Sequence, residues 1–223
     1  MISSISILGR IDITRRCCTK ANRLAFRSFP SVILNNMVKP VFVTGNPNKT
    51  TYFSKLIGIE FDHHKLDLGE IQSTDLRKIT EDKARRAYDI LRRPILVEDV
   101  GLFFNALGNL PGPFIKFFVE EREGLEKLCR MLDGFSNRRA HTVVMTTYFD
   151  GETFTHFEGG ASGEIATSPR GTGGYGYDAI WCVDGYGGKT RAELNKEDDG
   201  KSYLEARPLA VIREFFMEKI DEK

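Results

Sequence analysis

The sequence predicts an α/β fold built on a mixed sheet, and two observations lead to it. The first third of the chain alternates short apolar runs with helical periodicity, in the order βαβα. The middle holds two alternating segments joined by Asp150-Gly151, which reads as an antiparallel hairpin. Parallel pairing at one end and antiparallel pairing at the other make the sheet mixed. At 223 residues and 41% hydrophobic content, one domain with a sizeable core is expected.

Residues 1–36 stand apart from this pattern. They carry Arg10, Arg15, Arg16, Lys20, Arg23 and Arg27 against the single acid Asp12, with many Ser and Thr. The composition resembles a mitochondrial transit peptide. A disordered basic tail and a start codon assigned ahead of Met37 compete with that reading. Met37 is favoured as the working start because the first core strand follows it directly. Residues 37–223 are expected to form the domain, in a cytoplasmic location, or a mitochondrial one if residues 1–36 are a transit peptide.

Composition excludes several classes. A net charge of +1 gives no global pull toward nucleic acid or an anionic membrane. No apolar run is long enough to span a bilayer. Cys17, Cys18, Cys129 and Cys182 form no CxxC pair and no zinc spacing, so free thiols in a reducing compartment are expected.

Val41-Phe42-Val43 reads as a buried strand running into Thr44-Gly45-Asn46-Pro47-Asn48-Lys49, with a helix from Thr50 to about Gly58. Such a loop and helix start offer backbone N–H groups to an anion, and Lys49 adds charge. The GxxxxGK[ST] spacing of a P-loop is absent. His63 to Leu68 reads as a second strand. His63 and His64, adjacent and so on opposite faces, read as surface residues rather than joint ligands. Thr74 to about Leu91 has helical spacing in Leu76, Ile79, Ala84, Ala87 and Ile90, with Asp75 or Thr74 as cap.

The stretch Pro94 to Phe118 is the most informative. Ile95-Leu96-Val97 predicts a buried strand ending in two carboxylates, Glu98 and Asp99, followed by the turn LGNLPGP and by Lys116 among aromatics. Ligands of α/β proteins bind beyond the carboxyl ends of strands, although a solvated acidic turn has the same local signature. A short helix is predicted over Gly124–Leu132, strands over Ala140–Phe149 and Thr153–Glu158, and further sheet at Gly163-Glu164-Ile165. Pro169 to Asp178 is a glycine-rich loop in which Tyr175 or Tyr177 could stack a nucleobase and Asp178 could accept from a ring N–H. A tight loop pinned by aromatic packing is its alternative. Arg191 to Lys201 reads as a charged loop with one turn at Ala192-Glu193-Leu194. Pro208 opens a last helix to about Lys219.

In order and spacing, TGNPNK (Thr44 to Lys49), VEDVGLFFNALGNLPGPFIKFF (Val97 to Phe118) and GTGGYGYDAIW (Gly171 to Trp181) resemble the inosine triphosphate pyrophosphatase family, over nearly all of residues 38–216. The resemblance implies an elongated α/β domain of two lobes with a mixed central sheet, the active site in the cleft between lobes, and usually a homodimer. It implies hydrolysis of the purine nucleoside triphosphates ITP, dITP and XTP to the monophosphate and pyrophosphate, with Mg²⁺.

Carried onto this chain, Thr44, Gly45, Asn46 and Lys49 hold the triphosphate. Glu70 and Asp99 match metal-binding carboxylates, with Glu98 beside them, and Asp99 also matches the position usually assigned as proton acceptor. Lys83 and Lys116 match phosphate-contacting lysines, and Val100 a substrate contact next to Asp99. Tyr175, Gly176, Tyr177 and Asp178 match the base-binding loop. Lys201 and Arg207 match basic residues near base and sugar, Arg207 being able to donate to O6 of a 6-oxopurine. The residue types suit the chemistry. A triphosphate carries about four negative charges that lysines and a divalent cation neutralise, and a carboxylate can take a proton from attacking water.

Five positions depart from the family pattern. Glu205-Ala206-Arg207 stands where Ser-His-Arg is usual, so the histidine that helps read the base is absent. Tyr52 replaces a common acid, Ala179 a proline, and Gly69 the proline before Glu70. The altered 205–207 site supports a rival expectation, a nucleotide-binding sensor without turnover. A third keeps the pyrophosphatase and changes the modified nucleotide.

Overall fold

A computed structural model describes residues 39–221. The basic segment 1–36 and the start at Met37 lie outside the described residues. Seven strands form one open sheet in the order β2-β1-β3-β5-β6-β7, with β4 paired to β3. The parallel end consists of β1 (Val41–Val43), β2 (Asp62–His64) and the first residues of β3 (Ile95–Phe104). The antiparallel end adds β4 (Leu110–Gly112), β5 (Arg139–Phe149), β6 (Phe154–Ile165) and β7 (Trp181–Val183). The expected mixed sheet is therefore present.

Helices α1 (Pro47–Ile57) and α2 (Leu76–Leu91) supply the crossovers of the parallel end. Pro47 opens α1, where a missing N–H costs nothing. Asp75 caps α2, its carboxylate accepting from the Arg77 N–H at 2.9 Å. Leu76, Ile79, Ala84 and Ala87 are the buried stripe of α2. Thr80, inside that helix, reaches Thr147 of β5 at 2.7 Å and fixes helix to sheet.

The alternation of β3 organises the rest. Ile95 and Val97 face α2 and pack with Ala84 and Ala87. The even-numbered residues face the other way and change character along the strand. Leu96 joins an aromatic core of Phe42, Phe53, Tyr148, Phe157 and Phe216, roofed by α1 and α6 (Leu209–Asp221). Leu102 and Phe104 join a second core with Leu128, Ile165 and Trp181, covered by α3 (Ile115–Val119) and α4 (Gly124–Arg130). Between the two cores the same face carries Glu98 and Val100, opposite Thr146 and Val144 of β5. The two lobes are these two cores, and the cleft is the polar gap between them.

Several elements differ from expectation. β2 is only three residues long; Leu66 and Leu68 pack onto the core without pairing. His63 is not a simple surface residue, because its Nε2–H donates to the Thr44 carbonyl at 2.8 Å, while His64 is exposed. β3 does not end at the carboxylates but runs ten residues through them, paired with β5 from Ile95 to Phe104. β6 is one strand through Ile165, and α3 forms within the aromatic Phe114–Phe118 stretch. Residues 191–201 are mostly helical rather than loop. A 3₁₀ turn at Arg191–Glu193 precedes α5 (Lys196–Glu205), capped by Asn195, which accepts from the N–H groups of Glu197 and Asp198. Among the described residues no helix is long and apolar enough to cross a membrane.

Candidate active site

A cleft of about 240 Å³ lies on the even-numbered face of β3. Its walls come from β3, β5 and β6, from the glycine-rich loop before β7, and from α5 with the corner leading to α6. That corner can approach the sheet because Gly159 of β6 has no side chain. A Cβ there would sit 2.6 Å from the Ala206 carbonyl oxygen and 2.7 Å from Pro208.

At the centre, Glu98 is fully buried and held by two cations. Lys49 Nζ lies 2.6 Å from one carboxylate oxygen. Arg207 grips both oxygens, Nε and Nη2 each donating at 3.2 Å. Burial pushes the Glu98 carboxyl upward, but Lys49 and Arg207 outweigh it and hold the pKa down at about 2. Arg207 also donates to the Tyr203 carbonyl at 3.0 Å, and its guanidinium carbon lies 3.4 Å from the Tyr203 ring centre. The expected free donor for a base O6 is thus largely committed, leaving only part of its fork for a ligand.

Asp99 points to the opposite face, and its surroundings differ accordingly. Lys83 of α2 lies 3.6 Å from its carboxylate and 2.6 Å from that of Glu70, on the segment between β2 and α2. The Val100 N–H donates to Asp99 at 2.9 Å. Burial raises the Asp99 pKa, against the pull of Lys83 and with the help of the Glu70 charge. The Lys83 pKa is raised because Asp99 and Glu70 together outweigh burial, so this ammonium stays charged. The three carboxylates expected beside a metal are therefore divided. Glu70 and Asp99 share one cation, whereas Glu98 belongs to Lys49 and Arg207.

A divalent cation fits the first pair. Two hard oxygen donors already converge on a positive charge, here the Lys83 ammonium. Mg²⁺ binds through one or two carboxylates and completes its shell with water and phosphate oxygens. Among the described residues no group of three His, Cys, Asp or Glu side chains is spaced to hold a metal by protein atoms alone.

At the other end of the cleft, Tyr175 is 74% exposed and free to stack on a planar ligand. Tyr177 instead packs against the second core, and burial raises its phenol pKa. Asp178 is buried, and burial raises its pKa against the opposing Arg191 charge. Its two oxygens accept from the Tyr175 N–H at 3.0 Å and from Arg191 Nη1 at 3.2 Å. Gly174 and Gly176 adopt positive φ; a Cβ on Gly174 would lie 2.5 Å from the Asp178 carboxylate.

Other expected residues fall as follows. Thr44, Gly45 and Asn46 form the loop from β1 to α1, with the Asn46 N–H donating to Thr44 Oγ1 at 3.2 Å. Val100 and Gly176 line the cleft. Lys116 on α3 and Lys201 on α5 are exposed, lie 3.9 Å from Glu120 and Glu205 respectively, and do not line it. Arg191, Ser202 and Tyr203 line it although no local signal in the sequence singled them out. The one available hint was Asn195 followed by three acids, a helix start that places Ser202 and Tyr203 on one wall.

A family model described as the Ham1 family matches residues 40–213. Among curated relatives, inosine triphosphate pyrophosphatase 2 of Trypanosoma cruzi is 39% identical over 80% of this chain and 92% of its own length. The dITP/XTP pyrophosphatase of Saccharolobus solfataricus is 36% identical over 86% of this chain and all of its own. A HAM1 protein from Coxiella burnetii superposes with a TM-score of 0.73 at 26% identity, over 82% of this chain and 100% of that one. With this sheet, this cleft and these matches, the chain belongs to the Ham1 family.

Proposed function

We propose that this chain is a nucleoside triphosphate pyrophosphatase that cleanses the nucleotide pool, hydrolysing ITP, dITP and XTP to the monophosphate and pyrophosphate with Mg²⁺. One observation carries the reading. Three cations from separate segments, Lys49, Lys83 and Arg207, converge on the adjacent carboxylates Glu98 and Asp99 beside a cleft with an exposed aromatic. The names of the relatives support the same chemistry and the same bases.

In this reading Lys49 and the start of α1 take phosphate oxygens, and Lys83 neutralises charge as it moves from carboxylate to phosphate. Glu70 and Asp99 would hold Mg²⁺, which supplies charge neutralisation on the phosphates. Asp99 takes the proton from the attacking water, a role suited to a carboxyl whose pKa burial has raised. Glu98 anchors Lys49 and Arg207 at fixed positions. Tyr175 stacks on the base. Lys116 and Lys201, both exposed, require local movement to reach a ligand. The reading includes a homodimer, supported by exposed Phe117 and Phe135 near the packed pair α3 and α4.

The test is pyrophosphate release from ITP, XTP, dITP, GTP and ATP with and without Mg²⁺. A 6-oxopurine presents an acceptor at O6 and a donor at N1, and adenine the reverse. Unmatched buried hydrogen-bond groups cost roughly 1–3 kcal/mol, so kcat/KM for ITP and XTP should exceed that for ATP by at least ~10-fold. With Ala206 where the family has histidine, discrimination against GTP should be weaker. Chelation should stop turnover. Equal values for ATP and ITP overturn the base assignment, and no pyrophosphate from any nucleotide leaves a binding protein.

A further inference from the structure

The base end of the cleft lacks a histidine at position 206, where Ala206 offers only a methyl group. A different side chain connects the two walls there. The Arg191 side chain is 14% exposed and lines the cleft. Nε donates to Ser202 Oγ at 3.1 Å, Nη1 to Asp178 Oδ1 at 3.2 Å, and Nη2 to Asp199 Oδ1. Ser202 and Asp199 belong to α5, and Asp178 to the glycine-rich loop. One planar guanidinium thus ties the helix wall to the base loop by three bonds, a geometry an ammonium cannot reproduce.

The backbone around Arg191 is built into the same loop. The Ala192 N–H donates to the Asp178 carbonyl at 3.1 Å, and the Gly173 N–H to the Ala192 carbonyl at 3.0 Å. Gly171, at φ +83, approaches so closely that a Cβ would lie 2.4 Å from the Ala192 carbonyl carbon. The Thr190 side chain donates to the Arg170 carbonyl at 2.9 Å, and the Thr190 N–H to Glu193 at 2.8 Å. These bonds tie the turn to the loop, and Arg191 extends from it to acceptors on both the loop and the helix. Asp178 holds the Tyr175 N–H with its second oxygen, so the orientation of Tyr175 depends on the same carboxylate that Arg191 fixes.

We propose that Arg191 is a positioning residue that determines base recognition in this chain, holding Asp178 and Tyr175 in the base-accepting arrangement. The inference rests on the nucleotide pyrophosphatase reading. It makes a separation that a general structural role does not. Arg191 acts on the base end and not on the phosphate end, where Lys49, Lys83, Glu98 and Asp99 lie. Loss of Arg191 should therefore weaken the binding of a nucleotide and spare that of a ligand without a base.

The experiment compares Arg191→Ala, Arg191→Lys and Asp199→Asn with the unmodified protein, using ITP and ATP as substrates and inorganic tripolyphosphate as a competitive inhibitor. For Arg191→Ala, KM for ITP should rise about 10-fold or more with kcat changed less than about 3-fold. The ITP over ATP ratio of kcat/KM should fall toward unity, and the Ki of tripolyphosphate should stay within about 2-fold. Asp199→Asn keeps Arg191 and Asp178 but loosens the helix side of the clamp, and should move the same quantities less. Arg191→Lys should fall between the unmodified protein and Arg191→Ala. Equal losses for ITP and tripolyphosphate, or an unchanged ITP over ATP ratio in all three variants, overturn the proposal. If Arg191→Ala does not fold, Asp199→Asn and Arg191→Lys decide it by the same ratio. Failure of the unmodified protein to hydrolyse ITP is a separate result, and it removes the function on which the inference rests.

Discussion

Asp99→Asn is expected to lower kcat by ~10²-fold or more while leaving the thermal midpoint nearly unchanged. Asparagine keeps the shape of aspartate, and its side-chain oxygen can still accept from the Val100 N–H as the Asp99 carboxylate does. Lys83 retains Glu70 at 2.6 Å as its counter-charge, so no cation is stranded. What disappears is the negative charge that, in the proposed reading, takes the proton and, with Glu70, attracts the divalent ion. The pH profile adds a second check. Burial raises the Asp99 pKa in the metal-free protein, and a divalent ion held by Asp99 would pull it back down, so the acidic limb of activity should move to higher pH as Mg²⁺ is lowered. Near-normal kcat in Asp99→Asn with saturating Mg²⁺ would show that Asp99 is neither base nor ligand.

The neighbouring residue should behave in the opposite way. Glu98→Ala leaves Lys49 and Arg207 facing each other without the carboxylate that both contact, and Arg207 is itself buried. Removing one partner of a buried ion pair costs about 3–5 kcal/mol, which denaturant unfolding at pH 7 would read directly. The linkage sign follows from the depressed pKa. A carboxyl near 2 in the folded state and near 4.5 unfolded contributes stability above the unfolded value and loses it as pH falls toward 2. The stability gap between unmodified protein and Glu98→Ala should therefore be full at pH 7 and shrink between about pH 4.5 and 2. A gap below about 1 kcal/mol at pH 7 would mean that solvent, rather than Glu98, compensates the two cations.

These two residues also explain what the sequence could and could not reveal. Leu96, Val97 and their β-branched neighbours announce a strand, and the hairpin partner β5 announces itself by alternation. Two adjacent acids look locally like a strand ending in water. The strand continues because the compensation is remote: Lys49 comes from the first helix, Arg207 from the corner before the last, and Lys83 from α2. The order and spacing of the motifs pointed to the right family without this geometry, since motif matching needs no three-dimensional partner.

Other features were hidden for equally specific reasons. Helix α5 has a clear start in Asn195 and its following acids, but Gly200 and the lack of an apolar stripe mask its course. Arg191 reads as one more charge in a charged segment until Asp178, Asp199 and Ser202 are brought around it. His63 is distinguished from His64 only by a carbonyl contributed from another strand's loop. For Lys116 and Lys201 the resemblance assigned a ligand role, while their settings here are exposed helix faces with glutamate four residues on.

In the proposed reaction water attacks the α-phosphorus, with Asp99 taking its proton, so that pyrophosphate leaves intact. Hydrolysis of ITP in water enriched in ¹⁸O, followed by mass spectrometry of both products, tests this most directly. One ¹⁸O atom is expected in inosine monophosphate and none in pyrophosphate. Label in the pyrophosphate, or products that are the diphosphate and orthophosphate, would contradict it.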